Sequence, residues 1–281
     1  MKRTVFACLA TVLIAAALAG PEVFAQSTGK ASADSPQRIT VVSYNIHHGE
    51  GIDGRLDLER IAEVIRETDA DLVSLQEVDQ NVSRSESVDQ PQEFAKLLKM
   101  HVAFGGNIDL QGGKYGNAVL SRFPIVANKN HLLPNTGGGE QRGVLEVDVE
   151  LPHGGQLKFL ATHLDHRSDP AQRLDSAKFI NEAFAIETKF PVCLTGDLNA
   201  VPDSSVLDAF RKHWTLPDGQ AGLTIPVGTP NRKIDYILVG SAAPSSGIRL
   251  REVETRVLDE AVASDHRAIL SVFEVSRGAA D

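Results

Sequence analysis

Apolar residues follow two rhythms along this chain. Short, largely β-branched runs alternate with stretches in which apolar residues recur every three or four positions. Strand-like and helix-like periods in alternation predict a mixed α/β protein whose helices cover β-sheets. Residues 39–46 read as a strand, and Leu58, Ile61, Ala62 and Ile65 then mark a helix for which Asp57 is a natural N-cap. A second strand over 71–78 completes a strand–helix–strand unit, which implies a parallel pair with a right-handed crossover. Phe94, Leu97 and Leu98 indicate a short helix. Further strands are expected at 118–121, 144–151 and 157–162, the middle one alternating apolar and acidic residues as a half-exposed strand does. A helix over 170–187, a buried strand over 192–195, a helix over 205–214 and closing strands at 234–239, 250–257 and 268–275 follow. No internal repeat interrupts the order.

Ahead of this pattern, Lys2-Arg3, an apolar run over 5–19 and Val23-Phe24-Ala25 have the form of an export signal cleaved after Ala25. The run is short for a membrane span and ends at Gly20-Pro21. The expected organisation is a signal peptide over 1–25, a Ser/Ala/Gly/Asp-rich linker over 26–36 and one catalytic domain over 37–277. A secreted or periplasmic monomer with no transmembrane segment in the mature chain follows. The 281 residues are 42% hydrophobic, enough for one sizeable core. Their net charge is −9, and losing Lys2, Arg3 and Glu22 with the leader leaves −10. That balance disfavours polyanionic partners, because affinity for a phosphate backbone comes mainly from Lys and Arg. Cys8 leaves with the leader, so Cys193 has no disulfide partner and is expected to be a buried thiol.

The polar residues fall at strand ends. Asn45 closes the first expected strand and Glu77 the second, His163 follows 157–162, and Asp197 with Asn199 follows 192–195. Asp235 opens the strand at 234–239, and Asp265-His266 precede the last. Singly, each has an ordinary reading as a turn residue, a solvated strand end or a structural histidine. Together they suit convergence on one sheet edge, with carboxylate and amide oxygens of the kind a hard divalent cation such as Mg²⁺ prefers. His47-His48 compete for a metal, but neighbouring strand residues point to opposite faces.

Ser43-Tyr44-Asn45-Ile46, the run 71–78 ending in Gln76-Glu77-Val78, Gly116-Asn117-Ala118, Ala161-Thr162-His163-Leu164, Gly196-Asp197-Leu198-Asn199, Ile234-Asp235-Tyr236-Ile237 and Ser264-Asp265-His266 follow one another in a characteristic order. In that order the chain resembles the endonuclease/exonuclease/phosphatase superfamily, the deoxyribonuclease-I-like fold. The resemblance implies a four-layer α/β/β/α sandwich, two mixed β-sheets packed face to face with helices outside. It also implies a metal-dependent hydrolase of phosphate esters. Glu77 would be the principal ligand of Mg²⁺, or of Mn²⁺ in its place, with Asn45 and Asp265 completing or supporting the site. Asp197 and Asn199 would orient water or phosphate, Asp235 would hold His266, and His163 would lie against phosphate oxygens or the leaving group. Which histidine is base and which is acid stays open at this level. Asn117 and Arg142 are candidate substrate-binding residues, and Asp165, His166, Arg167 and Lys233 are further pocket candidates. The Gly- and Asn-rich segments 105–115 and 134–139 are the expected substrate loops.

Within such a fold the substrate is set by local features. No Lys/Arg-rich stripe runs along the chain, so nucleic acid is possible as a partner but not favoured, and export with acidity favours a phosphodiesterase acting on small or lipid-derived phosphate esters. The alternatives are a secreted nuclease and, from another class, a binding protein that keeps the fold without catalysis.

Overall fold

Neighbouring residues in the central strands are buried on opposite faces, and this shapes the architecture. Val41 and Val42, Leu72 and Val73, Phe159 and Leu160, and Cys193 and Leu194 are all inaccessible to solvent, yet alternate residues belong to different cores. Strands covered on both sides read as continuous apolar runs, as these do. The structure is a computed structural model that describes Met1 and residues 37–152, 154–216 and 222–277. The export signal and linker expected over 1–36 lie, Met1 apart, outside the described residues. Among the described residues no helix is long and apolar enough to cross a membrane.

Among the described residues twelve strands form two six-stranded sheets. The first comprises β1 (Gln37–Asn45), β2 (Leu72–Gln80), β3 (His101–Leu110), β4 (Gly113–Ser121), β11 (Ile248–Val257) and β12 (Ile269–Arg277), in the order β11-β12-β1-β2-β4-β3. The second comprises β5 (Ile125–Leu132), β6 (Gly143–Glu150), β7 (Gln156–His163), β8 (Val192–Asp197), β9 (Trp214–Thr215) and β10 (Asp235–Gly240), in the order β5-β6-β7-β8-β10-β9. Each sheet has one parallel pair at its centre, β1 with β2 and β7 with β8, flanked by antiparallel partners.

The inner faces meet in a core containing Ile39, Val41, Phe159, Cys193, Ile237 and Phe273. Helices α1 (Leu58–Arg66) and α2 (Gln90–Leu98) cover the outer face of the first sheet through Ile61, Ile65 and Phe94. Helices α3 (Ala171–Phe184) and α4 (Ser205–Arg211) cover the second through Ile180, Phe184, Val206 and Phe210. This is the expected four-layer sandwich. Asp57 caps α1 as expected, its side chain accepting from the Arg60 backbone N–H at 2.9 Å. Burial pushes the Cys193 thiol pKa up, in keeping with a structural thiol.

Two expectations need correction, and one strand was not expected. Residues 105–115 do not form a substrate loop: they belong to the β3–β4 hairpin, where Gly105 pairs with Asn117. Glycine in this segment serves close backbone approach, since a Cβ on Gly113 would lie 2.2 Å from the Gln80 carbonyl oxygen. Strand β5 was not anticipated, because this edge strand is largely exposed and carries polar residues where an apolar alternation would show. The helix expected over 205–214 stops at Arg211, and Trp214 instead enters β9 with its indole N–H on Asn181 Oδ1 at 2.8 Å.

Candidate active site

The two parallel pairs aim their C-terminal ends at one edge. Asn45 ends β1, His163 ends β7 and Asp197 ends β8; Asp235, the first residue of β10, pairs directly with Asp197, and His163 pairs with Asp197 from the other side. Two strand ends and one strand start thus meet around a single carboxylate. Glu77 needs a special device, because it lies inside β2. There the ladder to β4 shifts register between Leu75 and Val78, and Glu77 adopts a left-handed φ of 60°. A bulge with such a backbone re-aims one side chain at a cost of about 1–3 kcal/mol, which packing elsewhere sustains. Asn199 is also left-handed, at φ 47°. Gly196 permits the tight β7–β8 contact: its φ is 147°, and a Cβ there would lie 1.9 Å from the Thr162 carbonyl oxygen. Gly196→Ala is expected to cost about 3 kcal/mol of folding stability, measured by urea unfolding.

A continuous hydrogen-bond network joins the expected residues. Asn45 Nδ2 donates to Glu77 Oε1 at 3.0 Å and to Asp197 Oδ2 at 3.2 Å, while its Oδ1 accepts from the His47 backbone N–H at 3.1 Å. The Asn199 N–H donates to Asp197 Oδ1 at 2.8 Å. Imidazole Nε2 atoms of His163 and His266 stand 3.5 and 3.7 Å from Asp197 Oδ2. Behind His266, Nδ1 lies 3.0 Å from Asp235 Oδ2. Ser264 Oγ donates to the Asn45 carbonyl at 2.7 Å and accepts from the His266 N–H at 3.2 Å, tying the start of the last motif to β1.

Charges follow from this packing. Burial raises the Asp197 pKa to about 7, with the Asp235 charge adding to it and His266, Asn199 and Asn45 opposing. Burial by itself would depress His266, but the charge and hydrogen bond of Asp235, with Asp197 and Asp265, override it and raise the pKa to about 10. Burial, followed by the charge of Arg142, holds His163 well below the usual range. The two histidines are therefore opposite in kind: His266 is an imidazolium at neutral pH and His163 a neutral ring.

Other candidates surround this network. Asn117 is buried and donates to the Gly143 carbonyl at 3.2 Å, tying the first sheet to the second. Asp165 is buried too, accepting from Arg167 Nε at 3.0 Å, so it anchors a loop. Arg167 in turn holds the segment 134–139 through the Gly137 carbonyl at 3.0 Å. Arg142 is 4% exposed and points at His163 and His166. Sequence reasoning missed Arg84 and Tyr115: Arg84 pairs with the buried Asp79 at 2.8 Å, its guanidinium 5.3 Å from the Tyr115 ring centre. Asp79, a second carboxylate two residues after Glu77 in β2, was the available signal.

Lys233 is 4% exposed, its ammonium without a hydrogen-bond partner among the described residues and 5.2 Å from the Tyr236 ring centre. Burial lowers its pKa to about 8, against the opposing charge of Asp235. Because the folded value lies below the unfolded value of about 10.4, the unfolded chain binds more protons between these limits, and stability rises with pH across that window. Lys233→Met is expected to be more stable than the native protein at pH 7. Urea unfolding should show the difference narrowing between about pH 8 and about pH 10.4.

For a metal the Glu77 side offers carboxylate oxygens from Glu77 and Asp265, while Asn45 turns its Nδ2 to Glu77 and its Oδ1 to the His47 N–H. Asn45 and Glu77 are in contact, and Asp265, half-buried, stands next to His266. Among the described residues, the ligand-capable atoms that gather within 4.8 Å belong to a different trio, Asp197, Asp235 and His266. That trio is engaged as a carboxylate–imidazolium pair, whose proton competes with a cation. An open site at Glu77 fits Mg²⁺ chemistry, since that ion takes one or two carboxylates and fills its remaining positions with water and substrate oxygens.

A four-layer sandwich bearing an Asn/Glu/Asp/His cluster at one sheet edge defines a class of protein whose members typically hydrolyse phosphate esters. The chain belongs to the endonuclease/exonuclease/phosphatase family, whose sequence profile matches residues 42–266. It is 29% identical over 222 residues to the uncharacterised protein YbhP of Escherichia coli K12, covering 73% of this chain and 86% of YbhP. Among solved structures, an endonuclease/exonuclease/phosphatase protein of Beutenbergia cavernae DSM 12333 superposes with a TM-score of 0.71 at 25% identity, over 85% of this chain and 72% of that one. The mannosyl-6-phosphatase Bt3783 of Bacteroides thetaiotaomicron VPI-5482 shares the fold, with a TM-score of 0.66 at 19% identity, over 85% and 99% of the two chains.

Proposed function

We propose that this protein is an exported, Mg²⁺-dependent hydrolase of phosphate esters, of phosphodiesterase type, acting on a small or lipid-derived substrate. The observation that carries this reading is the buried Asp197 carboxylate held between the Nε2 atoms of two histidines and linked through Asn45 to Glu77. Glu77, supported by Asn45 and Asp265, would hold the cation, which when bound supplies positive charge to the phosphoryl oxygens. Asp197, with its pKa raised to about 7, accepts the proton of a water whose oxygen forms the new bond to phosphorus. The His266 imidazolium, stabilised by Asp235, donates its Nε2 proton to the ester oxygen that departs as the P–O bond breaks. Asn199 and His163 supply N–H groups to the phosphoryl oxygens, where charge accumulates in the transition state. Neither histidine is required as a base.

The acidic chain, with its net charge of −9, supports small substrates over nucleic acid. The printed activity of Bt3783 adds a sugar 6-phosphate to the substrates worth testing. Purified protein should be assayed in Mg²⁺, in Mn²⁺ and with a chelator against bis-p-nitrophenyl phosphate, phosphoinositides, sphingomyelin, a sugar 6-phosphate and plasmid DNA. Chelator-sensitive hydrolysis of a small or lipid ester is expected. Preferential nicking of DNA would replace this reading with a nuclease, and hydrolysis of none would leave a binding protein. Export is tested by sequencing the N-terminus of protein recovered outside the cytoplasm, which should begin at Gln26.

A further inference from the structure

We propose that Arg142 is a positioning residue that fixes the tautomer of His163, so that this imidazole presents an N–H rather than a lone pair to Asp197 and the reacting phosphate. Arg142 Nη1 lies 3.0 Å from His163 Nδ1 and 2.9 Å from the Glu140 carboxylate, and Nη2 lies 3.4 Å from His166 Nδ1. A guanidinium has no acceptor and does not lose its proton in a protein. Nδ1 of His163 must therefore carry the lone pair, and the single proton of the neutral ring sits on Nε2. That atom is 3.5 Å from Asp197 Oδ2.

One contact competes. Asn199 Nδ2, which donates to the Leu164 carbonyl at 3.1 Å, also stands 3.1 Å from His163 Nε2 and would prefer a lone pair there. A neutral imidazole has only one to offer. A hydrogen bond from an ionised donor is about twice as strong as one from a neutral amide, so the guanidinium prevails. The second hydrogen of the Asn199 amide is then left for a substrate oxygen.

The two histidines are thus set by opposite partners at Nδ1. A carboxylate behind His266 makes its Nδ1 a donor, whereas a guanidinium behind His163 makes its Nδ1 an acceptor. The same geometry turns the Nη1 and Nη2 edge of Arg142 toward His163, His166 and Glu140, while its buried Nε has no hydrogen-bond partner among the described residues.

The test is the tautomer itself, read from long-range ¹H–¹⁵N correlation of histidine-labelled protein, with His163 assigned by the signal lost in His163→Gln. The native ring should be protonated at Nε2. Arg142→Met should yield a mixture or the Nδ1-protonated form and lower kcat on the order of 100-fold with little change in KM, and Arg142→Lys should restore the tautomer. A native His163 protonated at Nδ1, or a tautomer unmoved in Arg142→Met, would overturn the proposal. Should Arg142→Met fail to fold, the native spectrum decides alone. Only the kinetic arm rests on the proposed hydrolysis: an inactive protein with the Nε2 tautomer would defeat the functional reading and uphold this one.

Discussion

Glu77→Gln is expected to lower Mg²⁺-dependent hydrolysis on the order of 10³-fold or more while the fold survives. The replacement keeps the size of the side chain and the oxygen that accepts from Asn45 Nδ2 at 3.0 Å, so the Asn45 link is retained. What disappears is the negative charge that would hold a hard cation. Activity measured against Mg²⁺ concentration separates this from a structural defect. If Glu77 is the principal ligand, the half-saturating Mg²⁺ concentration rises steeply while circular dichroism and the urea midpoint stay near native. A variant with native activity and native Mg²⁺ dependence would remove Glu77 from the proposed site and direct attention to the Asp197, Asp235 and His266 trio.

Asp235→Asn is expected to lower kcat by about 10²- to 10⁴-fold, the range that a positioned general acid contributes. The Asn oxygen can still accept from His266 Nδ1, so the ring keeps its place. The charge that raises the His266 pKa to about 10 is gone, however. With burial then unopposed by Asp235, the imidazolium gives up its proton at lower pH, and the alkaline limb of the pH–rate profile moves down. Stability carries the matching sign. A folded pKa above the unfolded value of about 6.5 means that the pair stabilises fully below that pH and loses its contribution as the pH climbs to about 10. The stability difference between native protein and Asp235→Asn should therefore shrink on the alkaline side. An unmoved alkaline limb would dissociate the pair from catalysis.

The unequal histidines bear on the order of events at the cleft. In the proposed mechanism His266 enters as a cation and His163 enters neutral with its proton fixed by Arg142, which would leave the base to Asp197, whose carboxylate both rings face. Position in the chain alone leaves the histidines interchangeable, since each follows or precedes a strand at the same edge. What separates them is the residue behind each ring, Asp235 in one case and Arg142 in the other, and both partners come from distant parts of the chain.

Much of this molecule was legible in the amino-acid order, for a physical reason. Strands buried on both faces must be apolar throughout, so β1, β2, β7 and β8 stand out, and a polar residue terminating such a run has few reasons to be there. Asn45, His163 and Asp197 were visible on those grounds, and Asp235 as the polar residue that opens β10. Edge strands such as β5 lack the pattern because solvent relaxes it. Three features belonged to the tertiary structure alone. The bulge that turns Glu77 toward Asn45 is a register shift, a property of two strands rather than one. The Gly105–Tyr115 composition could not reveal that its Gly113 serves close approach to the β2 backbone at Gln80. The protonation of each histidine depends on burial and on charges brought from elsewhere by folding, and a local sequence motif contains neither quantity.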